Sequence, residues 1–195
     1  MAQPSYLSDE GALTDGEAWV AVTSTVLTVD GTPTITWNSG ATATTDWSQY
    51  MDLVIIGYGR ATASDTNALV RMRFNNDTAS VYDWQEIRGS GSVVAPAFIA
   101  ARNYVECAYW MADSASANVF GGAAVHLYDI NSGKWKTGQS LSAGDRNGSG
   151  YVNQYGFVFK RQDPITRIDI WNHHGGNWKA GTRFDLFGVL PRMVS

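Results

Sequence analysis

The sequence predicts an all-β protein: an antiparallel β-sandwich of the jelly-roll type, with about ten strands and an irregular N-terminal arm. Three observations lead to this prediction. Apolar and β-branched runs recur along the chain, turn-forming residues separate them, and no long window places apolar residues at helical spacing. Many short strands at this spacing are typical of a sandwich or a barrel.

The first five predicted strands are β-branched or apolar runs that end at turn residues. Residues 19–29 and 34–37 are rich in valine, threonine and isoleucine, and an Asp-Gly pair separates them. Residues 53–60 begin with a run that is apolar on both faces, which is typical of a buried strand. Residues 68–74 end in an Asn-Asn-Asp turn, and residues 81–87 end before a segment of glycine and serine.

The last five predicted strands include the most aromatic parts of the chain. Residues 104–111 are aromatic and apolar, and residues 123–130 end at an Asn-Ser-Gly turn. Residues 151–160 carry packable groups on both faces, so we expect a central strand that is covered on both sides. Residues 165–171 and 183–190 flank a glycine-broken polar turn, which predicts a closing β-hairpin.

The chain divides into a short arm and one domain. Residues 1–15 are polar, contain Pro4 and lack any periodicity, so they are predicted to form an arm that is disordered or is ordered only on a partner. Residues 16–195 are predicted to be a single jelly-roll domain. Within it we expect loops at residues 38–48, 89–96 and 140–150, where sandwich proteins often carry recognition.

Composition excludes several classes of function. Only 16% of the residues are charged, the net charge is -4, and the fourteen lysines and arginines are scattered, so nucleic-acid binding is not expected. No stretch approaches the ~20 apolar residues of a membrane span. The N-terminus shows no Sec-type signal, and the single cysteine, Cys107, lies in an apolar run where a buried thiol acts as a small hydrophobe.

Patterns for catalysis and metal binding are weak. Asp83 and Glu86 fall on opposite faces of a strand, although a glycosidase needs two carboxylates that flank one bond. The loop from Asp145 begins like an EF-hand, but its twelfth position is Gly156 instead of glutamate. No nucleophile elbow, phosphate loop or zinc pattern is present. We therefore expect no enzyme, no cofactor and no metal, and keep a sandwich glycosidase as a third alternative.

Tryptophans beside polar turns suggest a weak sugar site. An exposed indole stacks on a sugar face while neighbouring polar groups bond its hydroxyls. The candidate residues are Trp135, Trp171, His173, His174, Asn177 and Trp178. The competing interpretation is that Trp171 and Trp178 pair across the hairpin and that the histidines are ordinary turn residues. A metal held by one histidine from each of three chains is a further alternative.

Four segments occur in a particular order along the chain. They are Tyr50-Met51-Asp52-Leu53-Val54-Ile55, the run Leu69-Val70-Arg71-Met72-Arg73-Phe74-Asn75-Asn76-Asp77 with Tyr82 after it, Asp163-Pro164-Ile165-Thr166-Arg167-Ile168, and the closing Gly176-Asn177-Trp178-Lys179-Ala180-Gly181-Thr182-Arg183-Phe184 with Phe187-Gly188. In this order they resemble a family of tailed-bacteriophage virion proteins. The family occurs in tail fibres, head fibres and capsid decorations. The chain departs from the family at Phe187, where tyrosine is more usual, and at the pair His173-His174.

The resemblance implies a non-enzymatic virion structural protein, assembled in the cytoplasm of a bacterial host. Its partners would be the major capsid or tail protein of the particle, two further copies in a homotrimer, and host cell-surface polysaccharide. Docking is assigned to the arm, at Pro4, Tyr6 and Leu7. With 195 residues there is no room for a long fibre shaft, which favours a capsid decoration, head fibre or short spike. A receptor-binding tail-fibre tip and a free carbohydrate-binding module remain alternatives.

Overall fold

A computed structural model describes residues 19–40, 45–145 and 148–190. The regular elements of the described residues are β-strands. No helix that could cross a membrane occurs among these residues. The strands are β1 (Trp19–Val26), β2 (Thr34–Asn38), β3 (Asp52–Gly59), β4 (Asn67–Phe74), β5 (Tyr82–Ser90), β6 (Val93–Arg102), β7 (Val105–Met111), β8 (Gly121–Tyr128), β9 (Lys136–Asp145), β10 (Gly150–Phe159), β11 (Arg167–Asn172) and β12 (Arg183–Val189). The predicted arm, residues 1–15, lies outside the described ranges.

The strands form two antiparallel sheets, which confirms the predicted sandwich. One has eight strands in the order β1-β12-β3-β8-β9-β10-β5-β6, and the other has four in the order β2-β11-β4-β7. If the hairpins β5–β6 and β9–β10 are set aside, the other eight strands, renumbered along the chain, have the orders 1-8-3-6 and 2-7-4-5. This is the jelly-roll arrangement. The two hairpins widen one sheet well beyond the other.

Two predicted loops are wrong, because both belong to the inserted hairpins. The segment 89–96 contains the end of β5 and the start of β6, with a turn only at residues 91–92. The segment 140–150 contains half of β9. The buried face of β9 carries Gly138, Ser140 and Ser142 in place of large apolar groups. Its alternation therefore gave no hydrophobic signal.

The core between the sheets is rich in aromatic side chains. Trp110 of β7 stacks on Phe184 of β12 with ring centroids 5.1 Å apart, and Trp178 meets both rings edge-on. The six-membered ring of Trp110 occupies the space that a Cβ of Gly57 or Gly59 would need, so those strand glycines admit the large indole. Cys107 is buried in the same core, as expected of a thiol that packs as a hydrophobe.

The segments that resemble virion proteins contact one another in pairs. The side chain of Asn75, after β4, accepts hydrogen bonds from the backbone N–H groups of Thr166 (2.8 Å) and Arg167 (3.1 Å), and donates to the carbonyl of Pro164 (2.8 Å). The ring of Tyr50 occupies the space that a Cβ on Gly188 would fill. The motifs thus form a connected framework.

The turn after β4 is held by an ion pair. The Asp77 carboxylate accepts from Arg161 Nε at 2.6 Å. Arg71, on β4, donates to Glu106 of the neighbouring strand β7. The Arg161 hydrogen bond holds the pKa of the Asp77 carboxyl below its ordinary value.

Candidate binding surfaces

The six candidate sugar-binding residues do not form one surface. Trp135 lies in the turn before β9, and this turn is at the end of the sandwich where β10 ends and β11 begins. His173, His174 and Asn177 follow the other end of β11. The antiparallel strands therefore separate Trp135 from the other candidates by the length of the sandwich.

Trp178 is removed from any sugar-binding surface, which corrects the expectation that its indole is accessible. Its side chain is 0% exposed and packs against Trp110 and Phe184. Its backbone N–H donates to the carbonyl of Thr32 and thereby fixes the turn over the end of the core. Burial of so large an aromatic group makes it part of the core.

Trp171 faces outward from the four-stranded sheet, but a guanidinium lies over its ring. The Cζ atom of Arg73 is 5.0 Å from the ring centroid, and Tyr104 meets the indole edge-on at 6.3 Å. This cation–π arrangement occupies the face that a sugar would need. The predicted closing β-hairpin is wrong, because β11 belongs to the four-stranded sheet and β12 to the eight-stranded sheet. Trp171 points outward and Trp178 inward, so the predicted cross-strand pair of these two residues is absent as well.

The histidine turn lies against the loop between β3 and β4. His174 Nε2 is 3.6 Å from the Asp65 carboxylate, and the backbone N–H of Asn177 donates to the Thr62 hydroxyl. Burial lowers the pKa of His173, and the nearby positive charge of Arg71 lowers it further. Among residues 19–40, 45–145 and 148–190, no cluster of three or more histidine, cysteine or carboxylate side chains has the geometry to hold a metal.

Trp135 is the exposed one of the three candidate tryptophans, with 59% of its surface exposed, and His173 and His174 are exposed as well. The turn of Trp135 is held from beneath by the buried ammonium of Lys136, which donates to the carbonyls of Ser132, Lys134 and Gln162. Burial lowers the pKa of Lys136. The indole is therefore presented on an anchored turn.

The predicted docking residues Pro4, Tyr6 and Leu7 lie outside the described part of the chain.

A groove runs over the outer face of the eight-stranded sheet, across β9, β10, β5 and β6. Its volume is 960 Å³. At its centre Gly156 of β10 pairs with Gln139 of β9 on one side and Gln85 of β5 on the other. In the next row of the sheet, Gln154 lies between Leu141 and Ile87. We call this feature the glutamine groove.

The glutamine groove has polar groups on its floor and apolar groups at its sides. Phe98 on β6 and Ile87 on β5 line the groove and are 64% and 56% exposed. Leu141 on β9, which is 59% exposed, lies beside Gln154 at its margin. The charged group at its rim, Asp83, pairs with Lys160 at 2.5 Å, and this hydrogen bond holds the pKa of the Asp83 carboxyl below its ordinary value. The groove therefore presents uncharged carboxamides between hydrocarbon walls.

Sequence reasoning missed this groove. The prediction that β10 is covered on both faces is wrong, because Val152, Gln154 and Gly156 are exposed while the alternate residues are buried. The alternation of Gln85 and Ile87 with buried Trp84 and Glu86 was readable in the sequence. Which strands lie beside β10 was not readable, because both partners come from the inserted hairpins.

A second exposed apolar area lies on the same sheet, on β3. Ile56 and Tyr58 are each more than one-third exposed there, and Tyr58 stacks on Phe120 at 5.1 Å. Trp19 of β1 is exposed as well, but it lies level with Asp52, at the other end of β3, and leans against Phe187 at 6.1 Å. We call Ile56 and Tyr58 the apolar flank.

Comparison with known proteins gives little further guidance. No protein-family model and no curated protein matches the chain. A similar solved structure is the CBM40 module of the IT-sialidase of Ruminococcus gnavus, bound to α2,3-sialyllactose. It has a TM-score of 0.34 and 9% sequence identity over 88% of this chain and 95% of that one. A likeness at this level carries no argument about the present chain.

Proposed function

We propose that this chain is a non-enzymatic structural protein of a tailed-bacteriophage particle, serving as a capsid decoration, head fibre or short spike. The observation that carries the proposal is the contact between its virion-like segments. Asn75 of one segment binds the backbone at Pro164 and Thr166 of another, and Tyr50 of a third packs against Gly188 of a fourth. Segments that contact one another in the fold support the resemblance better than short sequence similarities that do not meet in the structure.

The surface supports a role in assembly. The apolar flank is bordered by Arg183 and Asp185, which pair with each other at 2.7 Å and leave the area without net charge. Because each chain carries a net charge of -4, copies approach one another best through such a neutral area. We therefore assign the apolar flank to contacts between three copies, and residues 1–15 to docking on the capsid or tail protein.

The test is the position of the chain on particles. Particles released from the lysed host are labelled with a gold-conjugated antibody against this chain and viewed by electron microscopy. Label over the shell supports a decoration or head fibre, and label at the tail supports a spike or a receptor-binding tip. Particles that bear the major capsid antigen but carry no label contradict the proposal.

The glutamine groove favours a second candidate, a carbohydrate-binding function on a receptor-binding tip or in a free lectin-like module. Sites for small ligands are typically concave and largely apolar, with a few placed polar groups, and the groove has this composition. Equilibrium binding of the purified chain to soluble polysaccharides tests the candidate. Release of reducing sugar during that measurement would instead support the third alternative, a sandwich glycosidase.

A further inference from the structure

We propose that the glutamine groove binds an internal stretch of a neutral polysaccharide. The inference deepens the carbohydrate-binding candidate and rests on it. It does not depend on where, or whether, the chain is mounted on a particle. Absence of gold label and absence of glycan binding are therefore separate results.

The shape of the groove follows from one missing side chain. Gly156 lies between Gln139 and Gln85 on the neighbouring strands, so those two side chains stand two strand spacings apart, roughly 10 Å. A Cβ added at Gly156 would meet no atom within 4 Å. The space above Gly156 is therefore open, and a pyranose ring fits between the two glutamines.

The polar groups suit sugar hydroxyls. A carboxamide both donates and accepts hydrogen bonds, as a hydroxyl does. The side chains of Gln85, Gln139 and Gln154 are exposed and make no hydrogen bond to another residue in the described ranges. They are consequently available to a ligand without breaking a contact of the folded protein.

The walls suit the C–H faces of a sugar ring. Phe98 offers an exposed aromatic face, and Ile87 and Leu141 extend the apolar surface on either side of Gln154. Aromatic side chains bury much area at low cost in conformational entropy, which is why they serve as contact platforms. A ligand with alternating hydroxyl edges and hydrocarbon faces matches this pattern.

The charge of the groove selects a neutral ligand. Its outward-facing residues are uncharged apart from Asp83 at the rim, and Asp83 is neutralised by Lys160. A carboxylate or sulfate group placed here would lose water without gaining a cation. Acidic polysaccharides should therefore bind much more weakly than neutral ones.

The length of the groove also indicates that its ligand is an internal stretch of a polysaccharide. Beyond Gln154, the next outward residue of β10 is Val152, which lines a second hollow of 630 Å³ together with Gly89 and Ala143. The two hollows follow one another along β10. A polymer that continues past both ends of the site fills this run better than a single sugar does.

The experiment is affinity electrophoresis through gels that contain dextran, mannan, galactomannan or xylan, with alginate and hyaluronan as acidic counterparts. We expect retardation by at least one neutral polysaccharide and none by the acidic pair. Gly156→Leu should abolish retardation by filling the open space. Gln154→Ala and Phe98→Ala should each weaken binding by about tenfold, the loss expected for one good contact.

Thr34→Leu is the control, because it places the same leucine at an exposed position of β2 in the four-stranded sheet, away from both hollows. Gly156 has no positive φ, so it accepts a side chain. Thr34→Leu should bind as the unaltered protein does. Thermal unfolding of all variants confirms that they are folded.

Four results would overturn the inference. They are no retardation by any neutral polysaccharide, retardation only by the acidic ones, binding unaltered by Gly156→Leu, and binding lost in Trp135→Ala but not in Gly156→Leu. The last result would assign the sugar to the turn before β9. Self-association that Gly156→Leu abolishes, without any glycan binding, would make the groove a protein interface and would also refute the inference.

Discussion

At the scale of single residues, Asn75 and Asn76 offer a test of the framework that joins the virion-like segments. Both have left-handed backbone conformations, with φ of 53° and 52°. Only Asn75 bonds to the segment before β11 through its side chain, at Pro164, Thr166 and Arg167. Replacing either by alanine costs about 1 kcal/mol for the backbone conformation. Replacing Asn75 additionally removes four hydrogen bonds of its side chain.

We therefore expect Asn75→Ala to lower the free energy of unfolding by about 2–4 kcal/mol and Asn76→Ala by about 1 kcal/mol. Chemical denaturation with urea measures both. Because the two alanines share the same strain, the difference between them reports the side-chain hydrogen bonds. Equal losses would show that Asn75 acts only through its backbone conformation.

Glu86 gives a prediction about pH. Its buried carboxylate accepts from Asn153 Nδ2 and the Tyr155 hydroxyl, each at 3.2 Å. Burial raises its pKa above the ordinary value of 4.5 and Glu106 adds to the rise, while Arg88 and the Tyr155 hydrogen bond oppose it. The folded state thus binds more protons than the unfolded state. Glu86 therefore makes its whole contribution to the free energy of unfolding below pH 4.5. This contribution is lost as the pH rises through the pKa that Glu86 has in the folded protein.

Glu86→Gln should remove this loss, since a carboxamide keeps the acceptor oxygen but does not ionise. Its free energy of unfolding should rise relative to that of the unaltered protein as the pH increases above 4.5.

Asp77→Asn is the control, and its effect on stability should change with pH in the opposite direction, because the Arg161 hydrogen bond lowers the pKa of Asp77. The penalty of Asp77→Asn should be full above pH 3.8 and should fade as the pH drops below it. A pH-independent difference for Glu86→Gln would refute the burial argument.

At the scale of elements, the inserted strands differ in how firmly they are held. β10 pairs with strands on both sides and buries alternate residues, whereas β6 pairs only with β5 and none of its residues is buried. Local opening should be easiest where few groups are buried. We expect the β6 amides that bond to β5 to exchange with deuterium at least about 100-fold faster than those of β10.

Native-state hydrogen exchange read by mass spectrometry or NMR measures this ratio. β1, the other edge of the same sheet, is the internal comparison, since its Val20 and Val22 pack against the core. Its amides should exchange at an intermediate rate. Protection of β6 equal to that of β10 would indicate that something besides β5 covers the edge.

The strands that the sequence predicted and those it missed differ in one physical property. β10 and β3 place large apolar groups on a buried face. β11 and β12 were found as strands from the same signal, but they lie in different sheets and do not form the hairpin that the turn between them predicted. β9 buries glycine and serine beneath the backbone of β7, where Ser140 Oγ donates to the Cys107 carbonyl. β6 buries no residue at all. A prediction based on hydrophobic periodicity has no signal for such strands.

The candidate sites divide in the same way. Exposure of Trp135 followed from its place among turn residues. Burial of Trp178 did not, because it depends on packing against Trp110, which is distant in the sequence. The glutamine groove needs the register of three strands at once: a shift of β10 by one residue would turn Gln154 inward. Local patterns therefore find single exposed side chains, but not surfaces assembled across a sheet.

At the scale of the whole molecule, the unequal sheets divide the surface by chemistry. The added hairpins carry the neutral glutamine groove at one side of the eight-stranded sheet, and the apolar flank lies at the other side. A ring of copies that used the apolar flank would leave the groove facing solvent. Assembly and ligand binding are thus compatible on one face of a small protein.

The proposed trimer should depend on the apolar flank. Multi-angle light scattering should give the mass of three chains, and Tyr58→Glu should give the mass of one, because it places a charge in the contact. Val94→Glu is the control, since Val94 is exposed on β6, at the other edge of the eight-stranded sheet. Removal of residues 1–15 should leave the trimer intact and abolish particle binding. A single-chain mass for the unaltered protein would contradict the trimer, and unchanged particle binding after truncation would refute docking by the arm.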